Sequence, residues 1–414
     1  MSVLQIVAVI LCVMLNALDG FDVLSISFAS PGIAAEWGID RAALGIVLSM
    51  ELIGMAVGSV IIGSAADQYG RRPIILACLC IMTLGMYLAA IAGSVVELSI
   101  YRLATGLGIG GMLASINAMT AEYANAKYRH MAVIIMAGGY PLGAILGGMI
   151  VSELLVTFDW RAVFYFGAAV TAAFIPLVWF LLPESISYLA QAKSANTLER
   201  INKLLSRMGH TVATQLPEVK QSSSVTQLFS PALRSKTILL TIAYFAHIVT
   251  FYFILKWIPK LVVDMGYHPS EAGGVLVWAN VGGLLGCITL GLLSQRYAIR
   301  TLVIAILMGA VVMVSYFGQG QDDLTELALI AGSAGFFTNG AIVGLYALFA
   351  YVFPTNVRSG GTGLVIGVGR GGAVLGPVVA GFMFSLSFSL NTVAFLMALG
   401  SAVAIVALSF LKVD

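Results

Sequence analysis

Twelve apolar segments follow one another along the chain, separated by short polar stretches. They occupy residues 3–28, 42–66, 73–92, 96–121, 131–155 and 162–182 and, after a polar stretch, residues 237–257, 271–294, 301–317, 324–353, 359–384 and 391–411. A helix needs roughly 20 apolar residues to cross a bilayer. The pattern predicts an all-α integral membrane protein with about twelve transmembrane helices in two six-helix halves, residues 1–182 and 234–414, joined by a linker at 183–233.

Composition supports this class and argues against others. Of 414 residues, 60% are hydrophobic and 10% charged, whereas a soluble domain carries about 25% charged residues. The Lys and Arg residues are too scattered for nucleic acid, and no phosphate-binding loop follows a strand. The His and Cys residues lack metal spacing, and no nucleophile–base set is visible. We therefore predict no enzyme activity, no cofactor, no metal and no nucleotide.

The distribution of cations predicts the orientation. Fifteen of the 21 Lys and Arg residues fall on the side of the N-terminus, four, including Lys256 and Lys260, on the other side, and Arg102 and Arg370 within apolar segments. Cytoplasmic loops are enriched in cations. We expect a multi-pass protein of the cell inner membrane with both termini cytoplasmic, which puts the linker in the cytoplasm.

The linker contains one amphipathic pattern. Leu198, Ile201 and Leu204 recur at helical spacing, with Arg200 and Lys203 on the opposite face. This predicts a short interfacial helix that braces the two halves. The composition of residues 221–224 is typical of a flexible connection.

Acidic residues interrupt the first two apolar segments. Asn16, Asp19 and Asp22 are spaced three apart and share one broad helix face, and Glu51 lies within the second segment. A secretory signal peptide is the competing interpretation of the first segment, but a basic leading region is missing and two acids interrupt the run. Ionisable groups in hydrocarbon face a protein interior or a watery cavity and mark ion pathways. We predict that Asp19, Asp22 and Glu51 couple transport to protons, with a buried pair between Glu51 and an arginine as the alternative.

Two arginines within apolar segments are candidates for binding an anion. Arginine stays charged and grips a carboxylate with two parallel hydrogen bonds. Arg102 could instead be a counter-ion of the first helix, and Arg370 could act in gating. Further substrate-binding candidates are polar or aromatic residues within the later segments: Asn339, Tyr252, Trp278 and His247. For His247, polar packing is the simpler interpretation.

The two halves carry an internal repeat. A shift of 228 residues aligns Gly63 with Gly291 and Arg72 with Arg300. The fifth and eleventh segments each have glycine at every fourth position, at 139, 143 and 147 and at 363, 367 and 371. Small residues at this spacing let helices approach closely. Duplicated halves predict a binding site at their interface near the bilayer midplane.

Motifs across the chain resemble the major facilitator superfamily. Residues 63–72 match its loop signature G-x-x-x-D-x-x-G-R-R, Arg102-x3-Gly106 begins a run like its fourth-helix motif, and residues 182–185 resemble the end of its sixth helix. Within it, Asp19-Gly20-Phe21-Asp22 is similar to the first-helix signature of the aromatic acid:proton symporters. A second similar stretch runs from Tyr351 to Pro377 and includes Arg358 and Arg370.

The resemblance implies a proton-coupled importer of a small organic acid, most simply an aromatic carboxylate, working by alternating access. An exchanger or uniporter for a related acid such as muconate or nicotinate is the alternative, and a non-transporting receptor is a third. The implied partners are a small organic anion, protons and the lipid bilayer, with the protein as a monomer. The conformational gate would comprise the signature loop, a predicted Glu122–Arg129 ion pair and a helix-end arginine: Gly63, Asp67, Gly70, Arg71, Arg72, Glu122, Arg129 and Arg358.

Overall fold

The computed structural model describes residues 2–125, 129–191, 197–208, 212, 225–231, 233–321, 323–354 and 357–411. These residues are organised almost entirely as α-helices. The helices are α1 (Val3–Trp37), α2 (Arg41–Tyr69), α3 (Arg71–Ala90), α4 (Val95–Tyr123), α5 (Arg129–Thr157), α6 (Arg161–Leu181), α7 (Ile186–Gln191), α8 (Thr197–Arg207), α9 (Arg234–Asp264), α10 (Pro269–Leu293), α11 (Ile299–Phe317), α12 (Leu324–Val352), α13 (Arg358–Ser385) and α14 (Leu390–Ser409), with a 3₁₀ turn at Val225–Phe229.

Within these described ranges, twelve helices are long and apolar enough to cross a membrane: α1–α6 and α9–α14. The predicted all-α class and number of spans are confirmed. Two spans are longer than hydrophobicity alone predicts. α1 continues to Trp37 with Pro31 inside it, and α9 continues to Asp264. The extension of α9 brings Lys260 inside the helix, and Lys256, which was counted on the outer side at the end of the predicted segment, lies farther from the helix end.

Several helices begin at polar caps that the sequence supplies locally. The side chain of Ser94 accepts a hydrogen bond from Glu97 N, and Ser389 does the same for Thr392 N. At the start of α12, Asp323 accepts from two backbone N–H groups, which hold its pKa below the ordinary value. These caps satisfy N–H groups that have no partner inside the helix.

The amphipathic helix of the linker is present as α8. Its Ile201 is buried with Leu189 of α7, and Leu204 packs against the same small cluster. The sequence did not predict α7 as a separate helix. Gln221 to Ser224, predicted as a flexible connection, and the side chain of Arg200 lie outside the described residues.

The chain forms two compact units, and four of the five boundaries between them fall inside helices. The first comprises Met1–Val23, Gly54–Gly143 and Phe164–Gln221, and the second comprises Leu24–Ile53, Ala144–Val163 and Ser222–Asp414. Both units pack helices closely at glycines. In the first, a Cβ on Gly143 of α5 would lie 1.7 Å from Ala17 O of α1. The glycine stripe of the fifth segment therefore makes the close contact that its spacing predicts.

The internal repeat is visible in how each unit pairs its helices. In the first unit, Cβ atoms on Gly54 and Gly58 of α2 would lie within 2.2 Å of main-chain oxygens on α4. In the second, Gly282 and Gly286 of α10 approach α12 equally closely, with α12 oxygens at 1.8 and 2.1 Å. These glycines correspond under the same shift of 228 residues as Gly63 and Gly291. The repeat thus includes a helix–helix contact as well as a loop.

The stripe in the eleventh segment needs a correction. Cβ atoms on Gly363 and Gly367 of α13 would meet no described atom within 4 Å. The close approach to α9 uses Gly372 and Gly376 instead, which face Phe245 O at 2.4 Å and Val249 O at 2.7 Å. The helix was identified correctly, but the rotation that sets its contact face depends on tertiary packing.

Candidate functional site

The acidic face of α1 is buried in the first unit. Asn16, Asp19 and Asp22 are 3%, 1% and 0% exposed. Asn16 Nδ2 donates to Met136 O of α5 at 2.6 Å. A Cβ on Gly20, between the two aspartates, would lie 2.0 Å from Tyr140 O. The close α1–α5 crossing therefore fixes the stretch of α1 backbone that carries both aspartates.

Arg102 of α4 is fully buried beside this acidic face. Its Nη2 donates to Asp22 O at 2.8 Å, its Nη1 contacts Met86 Sδ at 2.9 Å, and its guanidinium lies over the Phe164 ring, 5.4 Å from the centroid. The hydrogen bond from Arg102 to Asp22 uses the main-chain oxygen of Asp22 and so links α4 to α1. The site thus combines a permanent cation with two acids away from solvent.

Arg370 of α13 lies in the second unit near an aromatic cluster. It is partly exposed and lies close enough to Tyr244 and Tyr346 to act electrostatically on both hydroxyls. These hydroxyls are hydrogen-bonded to each other at 2.9 Å, and the Tyr244 ring packs edge-on against Phe349. A partly exposed guanidinium beside aromatic rings suits a planar carboxylate. No sequence pattern singles out the Tyr244–Tyr346 pair, because its members are 102 residues apart.

The remaining substrate-binding candidates lie in different settings. Tyr252 is partly exposed and packs edge-on against Phe251, and Trp278 is 52% exposed. The Nδ2 atom of Asn339 is buried against the position of Gly283 and has no hydrogen-bond partner among the described residues. His247 is fully buried, with ring nitrogens 2.9 Å from Ser401 Oγ and Thr338 O. These bonds favour the polar-packing interpretation of His247.

Glu51 has a partner that the sequence did not predict. Its Oε2 lies 3.6 Å from the Nζ of Lys256 on α9, and both side chains are 0% exposed. The count of cations placed Lys256 on the outer side, at the end of the segment 237–257, and the expected partner of Glu51 was an arginine. In the structure α9 continues past residue 257 to Asp264, so Lys256 lies inside the helix, and its buried side chain is the partner of Glu51.

The loop between α2 and α3 is organised by Glu184. Gly70 adopts φ 100°, a backbone conformation that favours glycine, and a Cβ there would meet the Glu184 carboxylate at 2.6 Å. Glu184 Oε1 accepts from Arg71 N at 2.9 Å and Arg72 N at 3.3 Å. A carboxylate at a helix N-terminus satisfies free N–H groups and the helix dipole. Glu184 was not predicted as a site residue, although it belongs to the sixth-helix motif.

Glu122 forms an ion pair with a cation that the sequence did not predict as its partner. Glu122 Oε1 lies 3.4 Å from Arg71 Nε, and its Oε2 accepts from Ser185 Oγ at 2.6 Å. The predicted partner, the side chain of Arg129, lies outside the described residues, as does the side chain of Asp67. Glu122 therefore links the α2–α3 loop to the segment that follows α6.

The two repeated arginines perform the same structural task in each unit. Arg72 donates to Trp179 O near the end of α6 and lies over the Trp179 ring at 5.6 Å. Arg300 donates to Leu408 O at 2.9 Å and Ser409 O at 2.6 Å, at the end of α14. A cation at a helix C-terminus satisfies free carbonyls.

The other gate candidates occupy helix positions with simpler surroundings. Gly63 of α2 faces Ala114 of α4, and a Cβ on this glycine would lie 3.1 Å from the alanine methyl. Arg358 begins α13, as predicted for a helix end, and its Nε donates to Phe353 O at 3.2 Å.

Comparison with known proteins establishes the family. The family model described as Major Facilitator Superfamily matches residues 10–322. The chain belongs to the Major Facilitator Superfamily. The crystal structure of a D-xylose–proton symporter superposes with a TM-score of 0.77 at 17% sequence identity, covering 98% of this chain and 96% of that one, which shows the shared fold.

Curated relatives extend over nearly the whole chain. A gallate transporter of Pseudomonas putida is 32% identical, covering 97% of this chain and 91% of its own length. The 4-hydroxybenzoate transporter PcaK of Acinetobacter baylyi is 30% identical, covering 96% and 89%, and a benzoate transport protein of the same species is 30% identical, covering 91% and 83%. The resemblance to aromatic acid carriers of this superfamily is confirmed. This member of the Major Facilitator Superfamily is a transporter and not an enzyme.

Proposed function

We propose that this transporter is a proton-coupled importer of a small aromatic carboxylate. It would work by alternating access in the cell inner membrane, with both termini in the cytoplasm. The observation that carries the proposal is the partly exposed Arg370 beside the hydrogen-bonded Tyr244 and Tyr346. The substrate class of aromatic carboxylates is supported by relatives that are named as transporters of gallate, 4-hydroxybenzoate and benzoate.

In this proposal, different residues recognise the carboxylate of the substrate and its aromatic ring. The planar guanidinium of Arg370 offers paired donors to a carboxylate. Tyr244 and Tyr346 supply rings for stacking and hydroxyls that can bond to ring substituents. Because aromatic side chains have few rotatable bonds, such a site loses little conformational freedom on binding a flat ligand.

Proton coupling is assigned to the acidic face of α1. Desolvation favours a neutral carboxyl, whereas a nearby guanidinium favours the carboxylate. Asp19 and Asp22 are buried next to Arg102, so a modest shift between helices changes the balance of these two effects. An incoming anion that draws on the positive charge would favour protonation of an aspartate, and its release on the other side would favour loss of that proton.

Conformational change is assigned to the loop between α2 and α3. Arg71, Glu122 and Glu184 connect this loop to the ends of α4 and α6 through hydrogen bonds and an ion pair at partly exposed positions. Such contacts can be remade during each cycle at small cost. Asp67 is proposed to take part because of its place in the signature.

The test is uptake of labelled benzoate, 4-hydroxybenzoate and gallate into proteoliposomes. With an alkaline interior, a symporter that moves one proton per anion should accumulate its substrate about tenfold for each pH unit. An uncoupler should abolish this accumulation. Asp22→Asn should abolish it too, whereas Asp323→Asn, at an exposed helix cap, should transport normally.

Two results would contradict the proposal. Uptake that ignores the pH gradient would indicate an exchanger or a uniporter. Failure to take up all three acids would remove aromatic carboxylates as the substrate class.

A further inference from the structure

Glu51 was a sequence-based candidate for proton coupling, but the proposed transport scheme places coupling on α1 and gives the ion pair between Glu51 and Lys256 no role. Its two charged groups are 3.6 Å apart, and both side chains are 0% exposed. Burying two charges is unfavourable unless geometry and further bonds compensate, and a well-packed apolar pair is often as stable. Ionisable residues within membrane helices mark substrate or ion pathways. The pair therefore calls for a functional explanation.

A second ion pair shows how deep the first one lies. Arg41 Nη2, at the start of α2, lies 2.9 Å from Asp264 Oδ2 at the end of α9, and these side chains are 40% and 25% exposed. Ten residues separate Arg41 from Glu51 along α2, and eight separate Asp264 from Lys256 along α9. At 1.5 Å per residue, the buried pair lies about 12–15 Å below the rim pair. The hydrocarbon layer is about 30 Å thick, so Glu51 and Lys256 lie near its middle.

The segment of α2 between the two pairs is tightly packed. Ser49 Oγ donates to Val374 O of α13 at 2.9 Å. A Cβ on Gly45 would lie 2.6 Å from Pro377 O, and Trp257 of α9 donates to the same oxygen at 3.2 Å. On the predicted outer side, this part of α2 is thus closed against α9 and α13.

Import by alternating access requires this contact to open toward the outside. Lys256 faces α2 in the closed contact, so separation of the two helices removes Glu51 from its ammonium group. Loss of this carboxylate from an ammonium group near the middle of the membrane is costly, and another anion would stabilise the ammonium group. The anionic substrate arrives through the same opening at the same step.

We propose that Lys256 binds the carboxylate of the substrate when the outer entrance is open, and that Lys256 forms its ion pair with Glu51 when the entrance is closed. One carboxylate replaces the other on a single cation, so substrate arrival and helix separation are linked by competition. The inference rests on the proposed import of an organic anion. It assigns a binding role to Lys256 and a competing role to Glu51.

The decisive experiment measures benzoate binding to the full-length protein in nanodiscs, because the two residues should act in opposite directions. Glu51→Gln removes the competitor, so benzoate should bind at least fivefold more tightly. Lys256→Met removes the cation, so benzoate should bind at least tenfold more weakly. The double variant should resemble Lys256→Met. Affinity for benzamide, which lacks the carboxylate, should change less than twofold in every variant.

A purely structural ion pair predicts a different pattern. Both single variants would then change benzoate affinity in the same direction, and the double variant would return toward the wild-type value. That result would overturn the proposal. Asp264→Asn, which breaks the rim pair between the same two helices, is the matched control and should change affinity less than twofold. If the single variants fail to fold, the double variant leaves neither charge buried, and wild-type affinity in it would equally overturn the proposal.

A second measurement does not depend on the identity of the substrate. Ser49→Cys, in a background with the four natural cysteines replaced, reports whether the entrance is open through labelling from outside by a membrane-impermeant thiol reagent. Without substrate, Glu51→Gln and Lys256→Met should each raise the labelling rate at least threefold, and unchanged rates would overturn the role of Glu51. If the wild-type protein binds neither benzoate, 4-hydroxybenzoate nor gallate, the proposed substrate class fails, and the labelling rates still decide whether the pair holds the entrance closed.

Discussion

The crossing of α1 and α5 provides a sharp test of how the acidic face is held in place. At Gly143 a methyl group would lie 1.7 Å from Ala17 O, 2.3 Å from Ala17 C and 2.7 Å from Ala17 Cα. These atoms belong to the main chain and cannot rotate away. A comfortable contact needs about 3.5 Å, so Gly143→Ala must increase the shortest distance by about 1.8 Å, which moves the two helices apart.

The energetic consequence can be estimated from the same contacts. Overpacking costs about 1–3 kcal/mol. The separation also breaks the 2.6 Å bond from Asn16 to Met136 O, worth about 1 kcal/mol. Alanine recovers about 1 kcal/mol of helix propensity relative to glycine. The net loss of stability is about 1–3 kcal/mol, out of the 5–15 kcal/mol that is typical of a folded protein.

The matched control lies five residues away on the same helix. A Cβ on Gly138 would meet no described atom within 4 Å, so Gly138→Ala should be neutral or stabilise by up to about 1 kcal/mol. The assay is thermal unfolding of each purified variant, followed by uptake in proteoliposomes. Gly143→Ala should melt below the wild type and transport at least tenfold more slowly, because Asp19 and Asp22 move with α1. Equal melting temperatures for the two alanine variants would refute the reasoning.

Three further predictions follow from other contacts. Arg370→Lys keeps the charge but loses the planar fork, so the KM for benzoate uptake should rise about tenfold; wild-type kinetics in Arg370→Ala would remove this residue from the site. Glu184→Gln weakens the acceptor for Arg71 N and Arg72 N, so turnover should fall severalfold while benzoate affinity stays within threefold; a collapse of affinity at normal turnover would contradict a role in the conformational cycle. A reporter fused after Asp414 should give a cytoplasmic signal, and a periplasmic signal would overturn the proposed topology.

Sequence alone was sufficient for the features that depend on local composition. Twelve spans and an amphipathic linker helix follow from hydrophobic runs and periodicity, because a backbone in lipid must satisfy its own hydrogen bonds. The internal repeat was also visible in the sequence, because it depends on a fixed spacing of residues. Gly63 and Arg72 recur at one fixed spacing, and the structure shows that Arg72 and Arg300 each bind carbonyls at a helix end.

Tertiary structure decided which side chains meet. Lys256 lies 205 residues from Glu51, and hydrophobicity placed it at an outer helix end because a charge lowers the apolar score of its surroundings. Packing of α9 against α2 brings it into the interior. The glycines of α13 that contact α9 are not the predicted ones, for a related reason. The spacing of glycines predicts that a helix has a contact face, but not how the helix is rotated against its neighbour. Which side chains contact each other in this protein depends on how the helices are rotated and how they cross, and the sequence of a single segment does not encode this.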